Sequence, residues 1–208
     1  MALEVCGREW TMEALMAEIE KERSVMEDSG GGVTLCGGEP LMHPDDVVDI
    51  LEELGQRGFH RTVDTSLYAS QATVARVAEA CELFLVDLKL MAPAMHRQYT
   101  GVPNDAILQN IRFLAETGRD FSIRIPLIAG VNADDDNMQA VASFLETLPW
   151  QRRAVHLLPY HDVGKDKHRR MWSKYNPQGF RMAVPSEELQ RHCAALLEAR
   201  GLHVIIGG

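Results

Sequence analysis

The sequence predicts an α/β fold in which helices cover a mostly parallel sheet. Short, mostly apolar runs alternate with longer amphipathic segments along the whole chain. Strands separated by helices are joined by crossover connections, and right-handed crossovers make neighbouring strands parallel. No linker, low-complexity stretch or change in composition divides the 208 residues, so we expect a single domain spanning residues 1–208.

The predicted elements form successive helix-and-strand cycles, in which apolar residues at helical spacing precede each strand. Thr11 is suited to cap the first helix, and Gly58, Gly118 and Gly201 stand where later helices would end. The predicted helices lie within residues 12–29, 47–54, 70–80, 107–114, 138–145 and 189–197, and the predicted strands are 33–36, 61–64, 83–87, 121–126, 155–158 and 203–206. The chain therefore opens on a helix, whereas a βα barrel begins with a strand.

The composition argues against several classes of protein. A net charge of −9 is the opposite of the basic surface that nucleic acids and anionic membranes attract, so we expect neither as a partner. No apolar run reaches the ~18 residues of a membrane span, and no signal-peptide pattern is present. A hydrophobic content of 46% is sufficient for a sizeable core, and we expect a cytoplasmic protein.

The cysteines do not form a recognisable metal-binding motif. Cys6, Cys36, Cys81 and Cys193 are scattered without CxxC spacing, so neither a zinc knuckle nor a local iron–sulfur loop is predicted. Cys81 and Cys193 fall at apolar helical positions and are expected to be small buried hydrophobes. Cys36 differs from them because it ends a strand that is followed directly by two glycines.

Polar residues recur where the predicted strands end. In parallel α/β folds the carboxyl ends of the strands meet at one edge, where ligands bind. Each of these residues alone fits an ordinary turn or surface position, but their shared location predicts one polar pocket. The groups are Gly37-Gly38-Glu39, Asp64-Thr65-Ser66, Asp87-Leu88-Lys89, Arg124 with Gly130-Val131-Asn132, and Tyr160-His161-Asp162.

Two kinds of ligand fit this set of residues. An amino-acid head group has an ammonium that Asp87 or Glu39 would match and a carboxylate that Lys89 or His161 would match. A divalent metal fits nearly as well, because hard cations prefer oxygen ligands. The metal ligands would be Glu39, Asp64, Asp87 and His161. Sequence spacing is compatible with both.

Several motifs in fixed order resemble a known family. They are GGVTLCGGEPL at residues 31–41, VDTS at 63–66, VDLK at 86–89 and LLPYH at 157–161, the last followed by Gly164 and Lys165. Over almost its whole length the chain resembles the glycyl-radical-enzyme activating enzymes, including the pyruvate formate-lyase activating type, of the radical S-adenosylmethionine (SAM) superfamily. The resemblance implies a partial (βα)6 barrel with its helices on the outside.

The resemblance also implies roles for individual residues. Asp64, Thr65 and Asp87 correspond to a monovalent-cation site, and Arg124 corresponds to an arginine that orients the substrate near the sulfonium. Leu67 departs from the family pattern, which usually has glycine after the DTS segment. The implied SAM-binding residues are Gly37, Gly38 and Glu39 at the amino group, and Asp87, Leu88, Lys89 and His161 at the methionine and ribose parts.

The family chemistry is reductive cleavage of SAM by a [4Fe–4S] cluster, which gives a 5′-deoxyadenosyl radical that abstracts hydrogen from a glycine of a partner enzyme. The resemblance therefore implies two partners, a glycyl radical enzyme as protein substrate and an electron donor such as flavodoxin or ferredoxin. In the family three cysteines of a CxxxCxxC loop hold the cluster. This sequence has no such motif, and no iron–sulfur ligand is predicted in it.

We expect that the missing motif and the missing opening strand have the same cause. The chain would be a fragment of a longer activating enzyme, whose cluster belongs to the full-length parent only, and it would be inactive alone. Two other hypotheses stay open. The chain is a residual SAM-binding or partner-binding module, or it is a metal-dependent barrel hydrolase or lyase that uses the carboxylates and His161.

Overall fold

The computed structural model describes residues 8–161 and 178–207, and within them the chain forms a parallel sheet and eight α-helices. The strands are β1 (Val33–Leu35), β2 (Arg61–Thr65), β3 (Leu83–Asp87), β4 (Asp120–Leu127), β5 (Ala154–Pro159) and β6 (His203–Ile206). The helices are α1 (Met12–Ile19), α2 (Arg23–Ser29), α3 (Pro44–Gln56), α4 (Gln71–Ala80), α5 (Pro93–Thr100), α6 (Asp105–Glu116), α7 (Asp135–Glu146) and α8 (Glu187–Glu198). Short 3₁₀ turns span Glu20–Glu22 and Pro40–Met42.

The six strands lie side by side in the order in which they occur along the chain, and every neighbouring pair is parallel. The predicted α/β class with a parallel sheet is therefore confirmed. Each strand also agrees with its predicted bounds to within one residue at either end. This agreement follows from the apolar runs, because strands buried under helices need nearly continuous apolar sequence.

Two helical features differ from the prediction. The helix expected over residues 12–29 is divided by the 3₁₀ turn Glu20–Glu22, and Met16 and Met26 on its two halves pack in one cluster with Leu54 and Phe59. Helix α5 has no counterpart among the predicted elements. Its sequence, PAMHRQYT, lacks an apolar stripe, and its buried residue is a histidine, His96.

The two faces of the sheet differ in burial. Successive side chains of a strand point to opposite faces, so alternate residues share an environment. One set is fully buried in the main core beneath the helices and includes Val63, Phe84, Val86, Ile123 and Ile125. The alternate set in the same strands is half-buried and includes Asp64, Leu85, Asp87 and Arg124. The sheet thus carries polar side chains on its less covered face.

Trp150 packs at the end of the sheet opposite to these polar residues. Its ring stacks on Phe121 with centroids 4.7 Å apart and planes 4° apart. The indole N–H donates to the Phe121 carbonyl at 3.0 Å, and the residue is 5% exposed. Of the helices that the structure describes, none is long and apolar enough to span a bilayer.

We predict that the chain self-associates through its sheet edges. Within the described residues β1 pairs with β2 alone and β6 with β5 alone, so the outer strands leave backbone groups unpaired, and open edges recruit other strands. Ile206 of β6 is also 43% exposed. Light scattering should show that the apparent molecular mass rises with protein concentration. The rise should be smaller for Ile206→Lys than for the wild type. Val25→Lys, a change at an exposed residue of α2, is the matched control. A monodisperse monomer at all concentrations would contradict this prediction.

Candidate functional site

The carboxyl ends of β1 to β4 enclose a polar cavity of about 370 Å³. The structure thereby brings together most of the residues that the sequence places at strand ends. The lining residues are Gly37, Gly38, Glu39, Asp64, Thr65, Ser66, Asp87, Lys89 and Arg124. They come from four different strands, so the parallel arrangement is what gathers them.

The glycine pair forms the turn that leads from β1 into the cavity wall. Gly37 has φ +90° and Gly38 has φ +58°, which is backbone that residues with a Cβ rarely adopt. A Cβ built at either position would meet no atom within 4 Å. The glycines are therefore required by the backbone conformation of the turn, which carries main-chain groups along the open side of the cavity.

Glu39 links the loops after β1 and β2 through hydrogen bonds. Its carboxylate accepts hydrogen bonds from the Thr65 hydroxyl, from the Ser66 hydroxyl at 2.6 Å and the Ser66 N–H at 2.9 Å, and from the Leu41 N–H at 3.2 Å. Both carboxylate oxygens are thus engaged inside the protein. The side chain holds the loops after β1 and β2 in register, a role that the residue type alone did not reveal.

Arg124 lies between the two aspartates of the cavity. Its guanidinium is 2.8 Å from the Asp64 carboxylate and donates to the Asp87 carboxylate at 3.1 and 3.2 Å. The ammonium of Lys89 is 3.3 Å from the other oxygen of Asp87. All four side chains are between 19% and 36% exposed. Two cations therefore neutralise two carboxylates at the edge of solvent.

The strand register explains this arrangement. Asp87 and Arg124 are direct partners across β3 and β4, and Asp64 of β2 is paired with Leu85, two residues before Asp87. The three charged side chains thus share one face at neighbouring positions of three adjacent strands. Opposite charges directly across a strand pair stabilise the sheet.

Burial raises the pKa of the Asp64 carboxyl above its ordinary value, because the charged form loses solvation. The positive charge of Arg124 acts against this shift, while the negative charges of Asp87 and Glu39 act with it. A carboxyl with a perturbed pKa inside a polar cavity is a frequent mark of a functional site.

The remaining predicted residues lie in different surroundings. The side chain of Leu88 is 1% exposed and belongs to the core, so Leu88 offers the cavity only its main chain. His161 is exposed and does not line the cavity. Asp162, Gly164 and Lys165 are outside the described part of the chain. Leu67 has φ +57° and is fully buried, so burial of its side chain offsets the cost of a backbone conformation that favours glycine.

The described cysteines do not form a cluster-binding set. Burial raises the pKa of Cys81 to about 12 and that of Cys193 to about 11, which keeps both as thiols, whereas Cys36 is exposed. Cys6 lies outside the described residues. Among residues 8–161 and 178–207, no three side chains of histidine, cysteine, aspartate or glutamate are grouped to hold a metal ion.

We predict that the Asp64 carboxyl titrates above 3.8 and that Arg124→Met raises its pKa further, because the opposing positive charge is lost. Because the pKa of Asp64 is raised in the folded protein, its carboxyl binds a proton more tightly there than in the unfolded chain. The contribution of Asp64 to stability therefore falls as the pH rises from 3.8 through the folded pKa. Carboxyl NMR titration measures the shift. Arg76→Met, which removes an exposed ion pair to Asp45, is the control. A pKa that falls in Arg124→Met would contradict the prediction.

Comparison with known proteins identifies the family. The model of the radical SAM superfamily matches residues 3–141. The trans-4-hydroxy-L-proline dehydratase activating enzyme of Clostridioides difficile is 42% identical over 100% of this chain and 68% of its own length. The choline trimethylamine-lyase activating enzyme of Oleidesulfovibrio alaskensis is 37% identical over 91% of this chain and 62% of its own length. The chain thus spans about two thirds of these relatives.

A solved structure supports the same assignment. The crystal structure of a domain of pyruvate-formate lyase-activating enzyme from Bacteroides vulgatus superposes with a TM-score of 0.73 and is 47% identical, covering 86% of this chain and 99% of that domain. The expected partial radical SAM barrel and the expected family are both confirmed. The chain belongs to the radical SAM superfamily and, within it, to the activating enzymes of glycyl radical enzymes.

Proposed function

We propose that this chain provides the SAM-binding part of an enzyme that generates a glycyl radical on a partner enzyme. The observation that carries the proposal is the cavity at the carboxyl ends of β1 to β4, where Asp64, Asp87, Arg124 and Lys89 face the same space. When bound, SAM supplies a sulfonium whose reductive cleavage gives the radical used by this family. The relatives are named as activators of a dehydratase and of a lyase, which supports an enzyme as the partner.

The cavity residues suit the polar parts of SAM. The ammonium of Lys89 can pair with the methionine carboxylate, because Lys89 keeps donors beyond its contact with Asp87. The turn at Gly37 and Gly38 has main-chain groups to offer the amino group, since the space where a Cβ would stand at either glycine is open. We propose that SAM extends beyond the cavity lining to the exposed His161, whose ring can donate to a ribose hydroxyl.

We further propose that Asp64, Thr65 and Asp87 hold a monovalent cation next to the SAM carboxylate. In the structure Arg124 binds both of these carboxylates, so a cation and the guanidinium compete for the same oxygens. Release of Arg124 would then leave its donors available to orient the partner's peptide near the sulfonium. Binding of the cation and reorientation of Arg124 would accompany each other.

The described residues do not fit a [4Fe–4S] cluster, because no three of their possible ligands are grouped and the sequence has no CxxxCxxC motif. We propose that radical chemistry requires cysteine ligands beyond those of these 208 residues, and that flavodoxin or ferredoxin supplies the electron. The glycyl radical enzyme is proposed as the protein substrate.

The two alternatives differ in their support. A SAM-binding module without activity of its own is compatible with the same cavity and is the second candidate. A metal-dependent hydrolase receives no support from the described residues, because no three of their histidine, cysteine, aspartate or glutamate side chains are grouped to hold a metal ion. His161, the fourth proposed metal ligand, does not line the cavity.

We predict that the chain binds SAM and that Lys89→Ala lowers the affinity about tenfold or more, since a charge-assisted hydrogen bond contributes ~1.5–3 kcal/mol. Gly38→Val should weaken binding at least as much, because a β-branched residue is strained at φ +58°. Isothermal titration calorimetry measures both. Lys21→Ala, at an exposed lysine paired with Glu18, is the control. Equal affinities of the wild type and both site variants would refute this mode of binding.

We predict that anaerobic reconstitution of this chain with iron and sulfide gives no stoichiometric [4Fe–4S] absorbance and that reductant with SAM yields no 5′-deoxyadenosine. The reason is the absence of a three-thiolate motif from the sequence. Absorbance spectroscopy and product chromatography provide the two readouts. Stoichiometric cluster together with 5′-deoxyadenosine would show that other residues hold the cluster and would refute the prediction.

A further inference from the structure

The main chain that carries Lys89 is held by buried asparagine side chains from three different places in the sequence. The Lys89 carbonyl accepts from the side-chain amide of Asn132 at 2.8 Å. The carbonyls of the next two residues, Leu90 and Met91, accept from Asn104 at 3.0 and 2.8 Å. The Met91 N–H donates to the Asn137 side chain at 2.9 Å. Four main-chain groups of residues 89–91 are thus hydrogen-bonded to buried side-chain amides.

Asn132 has the most central place in this set. It is 2% exposed, and its second amide hydrogen goes to the Pro126 carbonyl at 2.8 Å. Its side-chain oxygen accepts from the Ile128 N–H, also at 2.8 Å. Every strong hydrogen-bonding direction of the side chain except one acceptor lone pair is used. Asn132 therefore joins the loop after β3 to the end of β4.

The other two asparagines hold the far side of the loop. Asn137 is 7% exposed and donates to the main-chain carbonyl of Asn132 at 3.2 Å, so these two residues are linked directly. Asn104 is fully buried, and its side-chain oxygen has no partner among the described residues. A buried acceptor without a partner destabilises the fold, whereas the side-chain amide of Asn104 donates two hydrogen bonds to carbonyls of the loop.

The hydrogen bonds of this set converge on the loop that carries Lys89. Leu88 and Leu90, on either side of Lys89, are 1% and 4% exposed, so their side chains anchor the loop in the core. The Leu88 N–H is also bonded to the Arg124 carbonyl at 2.9 Å. With its neighbours packed and its carbonyl bound, the Cα of Lys89 has little freedom. The side chain then extends from a fixed point to its contact with Asp87.

We propose that Asn132, supported by Asn104 and Asn137, is a positioning residue that fixes the direction of the Lys89 ammonium toward the cavity. The identity of the ligand in this inference rests on the proposed SAM binding, whereas the positioning of Lys89 does not. A displacement of a binding group by about 1 Å can cost up to ~100-fold in function, so the hydrogen bonds of Asn132 act on affinity through Lys89.

The test uses Asn132→Asp, which keeps the shape of the side chain but removes both donors. We expect about tenfold weaker SAM binding by calorimetry. In a Lys89→Ala background the same change should cause no further loss, because residues that act through one contact are not additive. A second readout needs no ligand. Acylation of Lys89 by acetic anhydride, measured by peptide mass spectrometry relative to Lys21, should become severalfold faster as the ammonium leaves Asp87.

Two further variants separate positioning from general loss of stability. Asn137→Ala removes the acceptor for the Met91 N–H and should show the same two effects in weaker form, even if Asn132→Asp fails to fold. Trp150→Phe removes a buried hydrogen bond at the opposite end of the sheet. It should lower the melting temperature without changing SAM affinity or Lys89 acylation.

Three outcomes decide the inference. Wild-type affinity and unchanged acylation in Asn132→Asp and Asn137→Ala would overturn it. A loss of affinity that adds to that of Lys89→Ala would also overturn it, because Asn132 would then act on another part of the site. If the wild type shows no SAM binding, the proposed function fails, and the acylation rates alone confirm or overturn the positioning of Lys89.

Discussion

The parallel register of β2, β3 and β4 is the constraint on which the site depends. Because Asp87 lies directly across from Arg124, and Asp64 lies one strand further along the same face, three charged side chains meet without any loop having to carry them there. A shift of one residue in either pairing would turn these side chains toward the helix-covered core. The apolar side chains that alternate with them therefore fix the position of the charges.

Two of the three carboxylates of the cavity are paired with cations, and the third, Glu39, accepts hydrogen bonds from neutral groups. Arg124 and Lys89 face Asp64 and Asp87, and this pairing limits the cost of keeping half-buried groups ionised. A zwitterionic ligand with a cation would exchange these contacts for similar ones. Under the proposed binding of SAM, a guanidinium would rearrange and no uncompensated charge would be buried.

The loops around the cavity are held by polar side chains that the rest of the fold does not need. Glu39 joins the first two loops, and Asn110 donates to the Leu67 and Ala69 carbonyls after β2. The asparagines around Lys89 do the same for the third and fourth loops. Apolar residues would pack at these positions with a smaller desolvation cost, so the amides indicate that loop geometry matters here.

The sequence was sufficient for the strands and for the identity of the polar strand ends. Both depend on local patterns, namely apolar runs and the residues that follow them. Helix α5 was missed because it lacks an apolar stripe, and the roles of Asn104, Asn110 and Asn137 were missed because a single buried asparagine has no pattern in the sequence. The pairing of Arg124 with two aspartates depends on register, which is a property of the folded sheet alone.

A crystal structure of this chain with SAM and potassium is the most direct test of the proposed site. We expect the methionine carboxylate at the Lys89 ammonium, the cation between Asp64 and Asp87, and the Arg124 guanidinium released from Asp64. A structure in which the Arg124 contacts to both aspartates persist while SAM occupies another part of the molecule would contradict it.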